Sequence, residues 1–295
     1  MERRVNNLIR SLSPFMIALL IQFAASFMAG EFAGAWKLHN FTGGSMEDYM
    51  NELVSPEGIR FISNLTELFY SVAAIAAFGA MYYSTFYAKK HKNNDPVIAK
   101  GLPLSVSFRG YRVLPVILAM AVMVVSLNYL CEYIIEAIAV LSPDTFQQFA
   151  DLLEAAGLDS ENLGIAMAIY AGFLGPVAEE LIFRGMTFEY ARRAVSFRTA
   201  NVLQAFLFAA MHMNPMQAAY TFLVGLMFGY VYYRSGNILM PILLHILYNC
   251  FQLFASEHLP YGESPVAVFL TILFGLLLMY VGVAVMDKSL PKEEA

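Results

Sequence analysis

The chain has 295 residues, of which 59% are hydrophobic and only 14% are charged. This composition excludes a soluble globular domain and indicates a polytopic membrane protein. No basic cluster of the kind that binds nucleic acid accompanies the net charge of −5, so we expect the lipid bilayer, and no nucleic acid, as its partner. The two cysteines, Cys131 and Cys250, lie in apolar stretches and define no disulfide framework.

Eight apolar stretches follow one another along the chain, and each is interpreted as one helix across the bilayer. The first follows Arg3, Arg4 and Arg10 in a layout similar to a signal peptide, with a small-x-small cleavage site at residues 33–35. Because the stretch is longer than a usual signal h-region, we expect it to be retained, with cleavage as the alternative. The stretches are residues 12–29, 65–88, 113–141, 163–190, 199–213, 215–233, 238–255 and 265–286, with a polar loop expected over residues 35–64.

Basic residues fix the orientation of these spans. With a cytoplasmic N-terminus and eight spans, every Lys and Arg except Lys37, Arg60 and Arg184 lies on the cytoplasmic side, as the positive-inside rule requires. Seven spans would send the C-terminus outside and place the basic turns after the fourth span on the wrong side. The sequence therefore predicts an all-α membrane protein with eight transmembrane helices and both termini in the cytoplasm.

The fourth span contains the ionisable residues that are hardest to bury. Its segment 175–185 holds Glu179, Glu180 and Arg184 within a stretch otherwise apolar enough to cross a bilayer. A charged group at that depth costs from about 3 to well over 10 kcal/mol on different scales, so such groups face the bundle interior and usually carry function. Glu180 and Arg184 are spaced for an i,i+4 ion pair, which leaves Glu179, about 100° away around the helix, for a second cluster.

Pro176 lies one turn before these acids. Because proline has no N–H group, it frees the carbonyl of Gly172 and tends to kink the helix. We therefore expect distorted and hydrated backbone next to the acids.

Two further residue pairs lie at membrane depth. Phe208 and His212 are four residues apart on the fifth span, and His245 and Asn249 are four apart on the seventh, so each pair shares one helix face. At about 1.5 Å per residue from the predicted cytoplasmic ends, Glu179 and His212 lie roughly 20 Å deep and the His245 pair about 10–17 Å deep. The fourth, fifth and seventh spans can therefore bring these side chains together.

A glutamate, two histidines and an amide in a cavity open to water are the groups of a hydrolase. In this hypothesis Glu179 takes a proton from water, and His212 holds that water and shuttles the proton. His245 and Asn249 donate to the oxyanion. A lone histidine in a membrane helix is more often a packing residue, so the coincidence of both at one depth with a spare acid is what favours catalysis.

The remaining candidates are interpreted as supporting residues. Glu180 and Arg184 are read mainly as a structural pair, and Phe208 as a packing wall. Gly225 and Gly229, spaced as Gly-x-x-x-Gly on the sixth span, indicate close helix packing.

The order Glu-Glu-x-x-x-Arg, Phe-x-x-x-His and His-x-x-x-Asn on the fourth, fifth and seventh spans resembles the CAAX protease and bacteriocin-processing family of intramembrane endopeptidases, also called the Abi family. The resemblance covers residues 163–255 well and the earlier spans only by number and hydropathy. It implies the following roles: Glu179 as general base, Glu180 and Arg184 as its support, His212 in water activation, and His245 with Asn249 as the oxyanion site.

The resemblance also implies a division of the chain and a substrate class. Eukaryotic relatives remove the last three residues of prenylated CAAX proteins, whereas bacterial relatives are linked with bacteriocin immunity, peptide-signal maturation and surface-protein control. We expect a membrane-embedded or lipid-modified peptide substrate and a location in the bacterial plasma membrane. The parts are an N-terminal membrane region at residues 1–162, a catalytic core at 163–255, and the last span with its tail at 256–295.

One alternative is a proton-coupled transporter or channel, which would also use buried glutamate and histidine. Its polar residues would be spread along a path over several spans, whereas here they gather in one cluster.

A second alternative concerns metal. Glu179, His212 and His245 would make a His₂Glu zinc set with an open fourth position for water. We expect no metal, because a ligating Glu179 would leave no free acid as general base unless Glu180 gave up Arg184. The neighbours of both histidines are also largely apolar, so they offer few acceptors to orient metal-bound imidazoles.

Overall fold

The computed structural model describes residues 2–88, 112–156, 163–262 and 264–290. Within these residues all regular structure is helical, which confirms the predicted all-α class. The helices are α1 Glu2–Asn40, α2 Met46–Leu53, α3 Pro56–Tyr82 with a π-helical end at Tyr83–Tyr87, α4 Val113–Leu141, α5 Pro143–Ala156, α6 over Ile165–Ala191, α7 Phe197–Met211, α8 Pro215–Ser235, α9 Leu239–Phe254 and α10 Pro265–Ser289.

Several of these helices identify an integral multi-pass membrane protein. In the described part of the chain five are long and apolar enough to cross a bilayer, namely α1, α3 with its π-helical end, α4, α6 and α10. The shorter apolar helix α9 and the helices α7 and α8 occupy the positions of the seventh, fifth and sixth predicted spans. At about 1.5 Å per residue, α7 and α9 are shorter than the roughly 30 Å hydrocarbon layer. The count of eight spans and the orientation of the termini therefore stay predictions.

The prediction of a polar loop over residues 35–64 is wrong. Helix α1 continues to Asn40, and two helix starts follow in close succession. Ser45 and Asp48 form a reciprocal capping box at the start of α2, and the Ser55 hydroxyl caps α3, whose first residue is Pro56. The Ser45 backbone N–H and hydroxyl also hold the pKa of Asp48 below its ordinary value.

Two apolar clusters fill the bundle. One is built from α1, α3, α6 and α7, and includes Phe78, Phe183 and Phe208. The other is built from α4, α8, α9 and α10, and includes Met123 and Phe228. The polar residues of α6 and α9 lie where these clusters meet, so both clusters position the candidate site.

Buried and half-buried polar contacts tie the helix ends that are predicted to be cytoplasmic. The Asp287 carboxylate on α10 accepts from the Tyr230 hydroxyl at 2.9 Å and from Arg234 Nε at 2.7 Å, both on α8. Glu189 at the end of α6 accepts from the Tyr232 hydroxyl at 2.8 Å. Helix α8 is thereby held on two sides at one end of the bundle.

Candidate active site

Helix α6 changes its winding on both sides of the paired acids. Tyr170–Leu174 and Leu181–Phe188 are π-helical, and Gly175–Glu180 between them is α-helical. π-Helical turns are rare and frequently occur at functional sites. Pro176 lies in the first turn of the central α-helical piece, and its missing N–H leaves a carbonyl of the preceding π-helical turn without its helical donor. The distortion expected before the acids is therefore present as a π-helical turn.

Side chains of α9 bind the backbone carbonyls of the first π-helical turn. Asn249 Nδ2 donates to the Ala171 carbonyl at 2.7 Å, and Cys250 Sγ lies 4.0 Å from the Gly172 carbonyl. Gly172 is the residue whose carbonyl Pro176 was predicted to free. The Asn249 amide thus joins α9 to the distorted part of α6, and it is half-buried at the edge of the site.

Glu180 and Arg184 form the predicted ion pair, with Nη1 and Oε1 2.8 Å apart and both side chains fully buried. Arg184 Nη2 also donates to the Gly225 carbonyl of α8 at 3.1 Å. The guanidinium lies over the rings of Phe208, 4.6 Å from its centroid, and Phe228, at 5.3 Å. A buried ion pair needs such additional partners. The free-energy cost of removing both charges from water can exceed the gain from the single contact between them.

His245 of α9 lies between the two acids of α6. Its Nδ1 is 2.9 Å from Glu180 Oε1, and its Nε2 is 3.6 Å from Glu179 Oε2. An ionised carboxylate only accepts hydrogen bonds, so Nδ1 carries the proton that binds Glu180. The sequence analysis did not find the Glu180–His245 contact, because the residues are 65 positions apart and Glu180 had already been assigned to Arg184.

His212 ends α7 and is oriented by its own helix. Its Nδ1 lies 2.9 Å from the Phe208 carbonyl, and the Phe208 ring stands perpendicular to the imidazole at 5.1 Å between centroids. Because a carbonyl oxygen only accepts, Nδ1 is the donor, and Nε2 of the neutral ring is an acceptor. The Phe208 ring also contacts His245 at 5.9 Å, so it separates and supports the two histidines, as a packing wall would.

The structure therefore brings together most of the predicted site residues. Glu179, Glu180, Arg184 and His245 are joined by the distances above, and Phe208 contacts both Arg184 and the histidines. His212 joins this group through the Phe208 ring, which contacts both imidazoles and the Arg184 guanidinium. Among these groups Glu179 is the acid that stays partly accessible, with 19% of its side chain exposed, whereas the Glu180 side chain has none.

Two amide side chains that the sequence analysis did not single out complete the wall behind Arg184. Gln204 Nε2 donates to the Gly225 carbonyl at 2.8 Å, and Asn201 Nδ2 donates to the Leu226 carbonyl at 3.0 Å. A Cβ atom on Gly229 would overlap Asn201 Oδ1, and one on Gly225 would lie 3.1 Å from Ala205 Cα. The Gly-x-x-x-Gly spacing on α8 reflects this close approach of α7 and α8. It is the sequence feature that could have indicated the positions of the two amide side chains.

The predicted zinc alternative can be compared with these contacts. Within the described ranges no three His, Cys, Asp or Glu side chains converge as metal ligands do. His245 Nδ1 binds Glu180. The 3.6 Å between His245 Nε2 and Glu179 Oε2 is a separation that two ligands of one zinc ion can have, each about 2.0–2.2 Å from the metal, but no third ligand joins them in the described residues. The Nδ1 atom of His212 is bound to a backbone carbonyl. The residues as arranged do not fit a three-ligand site, and no step below uses a metal.

Comparison with known proteins finds a family and a relative that match this chain. Residues 161–251 match the family described as "Type II CAAX prenyl endopeptidase Rce1-like". A Bacillus subtilis protein named "Putative membrane peptidase YdiL" is 28% identical over 120 residues, which are 41% of this chain and 46% of that protein. The match therefore spans less than half of the relative's length. No solved structure matches.

Proposed function

This chain is related through residues 161–251 to the Rce1-like CAAX proteases, and on that premise we propose that it is an intramembrane endopeptidase. The observation that carries the proposal is the buried chain of contacts from Glu179 through His245 and Glu180 to Arg184. It joins a partly accessible acid to an oriented imidazole and a balancing cation. The match to a named membrane peptidase supports the same reaction class.

In the proposed mechanism Glu179 accepts a proton from a water molecule while the water oxygen attacks the scissile carbonyl carbon. His212 orients that water through Nε2, the acceptor that its Phe208 contact leaves available. The new bond puts negative charge on the carbonyl oxygen. His245 in its protonated form donates Nε2–H to this oxyanion, and Glu180 balances the imidazolium charge at Nδ1.

Collapse of the tetrahedral intermediate completes the hydrolysis. The carbon–nitrogen bond breaks, and the proton held by Glu179 passes to the leaving nitrogen. The products are a new carboxyl terminus and a new amine, and the enzyme returns to its initial state. Arg184 pairs with Glu180 and holds it in place, so it acts through Glu180 and His245.

The proposed substrate is a membrane-associated peptide, including peptides that carry a prenyl or other lipid group. The family description names CAAX prenyl endopeptidases, and the site lies on helices of a membrane bundle. A substrate anchored in the bilayer reaches such a site without leaving the lipid. The Bacillus relative supports a bacterial plasma membrane as the location.

The proposed topology has eight spans with both termini in the cytoplasm. Single cysteines at Glu47 and His258, in a chain whose native cysteines are replaced, should react with an impermeant maleimide from outside. A cysteine at Ser196 should react only after the membrane is opened. Labelling of Ser196 from outside would overturn the orientation, and labelling of Glu47 and His258 on opposite sides would overturn the span count.

The proposed activity is tested in membranes that contain the full chain or its Glu179→Gln variant. One probe is an internally quenched peptide that ends in a farnesylated cysteine and three further residues, and the second is the pool of endogenous peptides, measured by mass spectrometry. Cleavage of either probe only by the unaltered chain supports the proposal. Equal cleavage by the variant, or no difference in both probes, would overturn it.

A further inference from the structure

Helix α3 presents a phenol beside the candidate general base. Tyr70 is 3% exposed and packs in the same apolar cluster as Ala178, the residue before Glu179. Tyr70 and Glu179 each lie about 20 Å along their helices from Pro56 and Ile165, at about 1.5 Å per residue. Helix α3 also packs against Gly175–Glu180, the α-helical piece of α6 that carries Glu179. The phenol and the acid therefore share one level of the bundle.

The Tyr70 hydroxyl is buried and has no hydrogen-bond partner within the described residues. Buried polar atoms are almost always hydrogen-bonded, so one without a partner beside reactive groups needs an explanation. Glu67 lies one helical turn earlier on the same face of α3, and its Oε2 is likewise buried without a partner. Tyr170 of the first π-helical turn and Gln22 of α1 lie beside the Glu67 carboxyl.

These groups differ in whether they can donate a hydrogen bond. A tyrosine hydroxyl has one proton to donate, whereas ionised Glu67 and Glu179 can only accept. A single O–H donor beside two carboxylates can bind only one of them at a time. Neighbouring residues already orient His212, His245 and Glu180, whereas no hydrogen bond orients the Glu179 carboxylate within the described part of the chain.

We propose that Tyr70 is a positioning residue for Glu179: in the substrate complex it donates its O–H to the Glu179 carboxylate, so that the opposite carboxylate oxygen faces the attacking water. The inference rests on the endopeptidase function proposed above. Glu67 is the second acceptor for the same proton, and it takes the hydrogen bond when Glu179 is protonated during the reaction. In this role Tyr70 would contact the general base and not the peptide, so its effect belongs to the rate of the chemical step and not to substrate binding.

The test compares Tyr70→Phe with Tyr82→Phe, a matched loss of one hydroxyl on the same helix. The Tyr82 hydroxyl lies 3.4 Å from the Tyr232 hydroxyl, near the helix end predicted to be cytoplasmic. Cleavage of the farnesylated quenched peptide and formation of Glu179-dependent endogenous peptides are measured for both variants, for the unaltered chain and for Glu179→Gln. Thermal unfolding in detergent is measured alongside.

We expect Tyr70→Phe to lower kcat about 10- to 100-fold, the effect of one hydrogen bond to a charged group, with KM within about twofold. Its melting temperature should be unchanged or higher, because the hydroxyl that is removed has no partner in the resting protein. Tyr82→Phe should keep its full kcat.

Each contrary result has a distinct meaning. An inactive Glu179→Gln together with a fully active Tyr70→Phe overturns the role of Tyr70 and leaves the endopeptidase function standing. A loss of kcat matched by a lower melting temperature, or a change confined to KM, also overturns that role. An active Glu179→Gln overturns the endopeptidase function itself.

Discussion

Nδ1 of His245 lies 2.9 Å from Glu180 Oε1, the same oxygen that pairs with Arg184 at 2.8 Å. One buried carboxylate oxygen therefore serves two partners on two sides of the site. The sequence interpretation of Glu180 as a mainly structural partner of Arg184 does not include its contact with His245. Glu180 also fixes which nitrogen of His245 faces Glu179, so it links the ion pair to the reacting groups.

This double role predicts that stability and activity can be separated. Glu180→Leu should destabilise the protein by about 3–5 kcal/mol, because Arg184 stays buried without its carboxylate. Adding Arg184→Met should restore most of that stability, since a buried pair can be replaced by apolar side chains of similar volume. The double variant should nevertheless remain inactive, because His245 has lost its partner. Melting temperature and peptide cleavage measure the two effects, and an active double variant would refute the link to His245.

Asn249 is predicted to contribute less than the ionisable residues. Asn249→Ala should lower kcat about 10²- to 10³-fold if the amide is one oxyanion donor. It should also destabilise the protein modestly, because the Ala171 carbonyl loses the amide that lies 2.7 Å away. Gln252→Ala, one turn later on α9, is the matched control and should keep its activity. A rate equal to that of the unaltered chain would remove Asn249 from the site.

The close approach of α7 and α8 predicts a sharp difference between glycines. Gly225→Ala should destabilise the protein by about 1–3 kcal/mol, because the added methyl group meets the Ala205 backbone and the Phe208 ring at 3.1 Å. Gly30→Ala on α1 is the control, since nothing lies within 4 Å of its Cβ position, and it should stabilise its helix by up to about 1 kcal/mol. Thermal unfolding of the two variants measures this difference in stability. Equal effects of the two changes would contradict the packing of α7 against α8.

Metal is predicted to be dispensable for cleavage. The purified, active protein should contain less than stoichiometric zinc, and a chelator should leave its rate unchanged, because the arranged side chains do not supply three convergent ligands. Elemental analysis of the same sample used for the rate measurement tests this. Stoichiometric zinc, with activity lost on its removal and restored on its return, would recast Glu179 as a ligand.

Two pairings in the candidate site could be predicted from the sequence, Glu180 with Arg184 and Glu179 with His245. Helical spacing was sufficient for Glu180–Arg184, because an i,i+4 pair is local. Membrane depth correctly grouped Glu179 with His245, because unpaired ionisable groups must leave the lipid face.

Contacts that depend on how helices turn relative to one another could not be predicted in the same way. Spacing along one helix does not show that His245 binds Glu180 from another. It also does not show that Asn249 binds the carbonyl of Ala171, which is exposed by a π-helical turn. The helical path of residues 35–64 was missed because polar composition was taken for a loop, although Ser45 and Ser55 each precede a helix start as caps.

The most direct test of the central claim is cleavage of the farnesylated peptide in ¹⁸O-labelled water, with the products weighed by mass spectrometry. We predict one ¹⁸O atom in the new carboxyl terminus with the unaltered chain. Glu179→Gln, His212→Ala and His245→Ala should each form the product at least about 10³-fold more slowly, whereas His258→Ala, at an exposed histidine outside the site, should match the unaltered chain. Labelled product formed at an unchanged rate by Glu179→Gln would contradict the account.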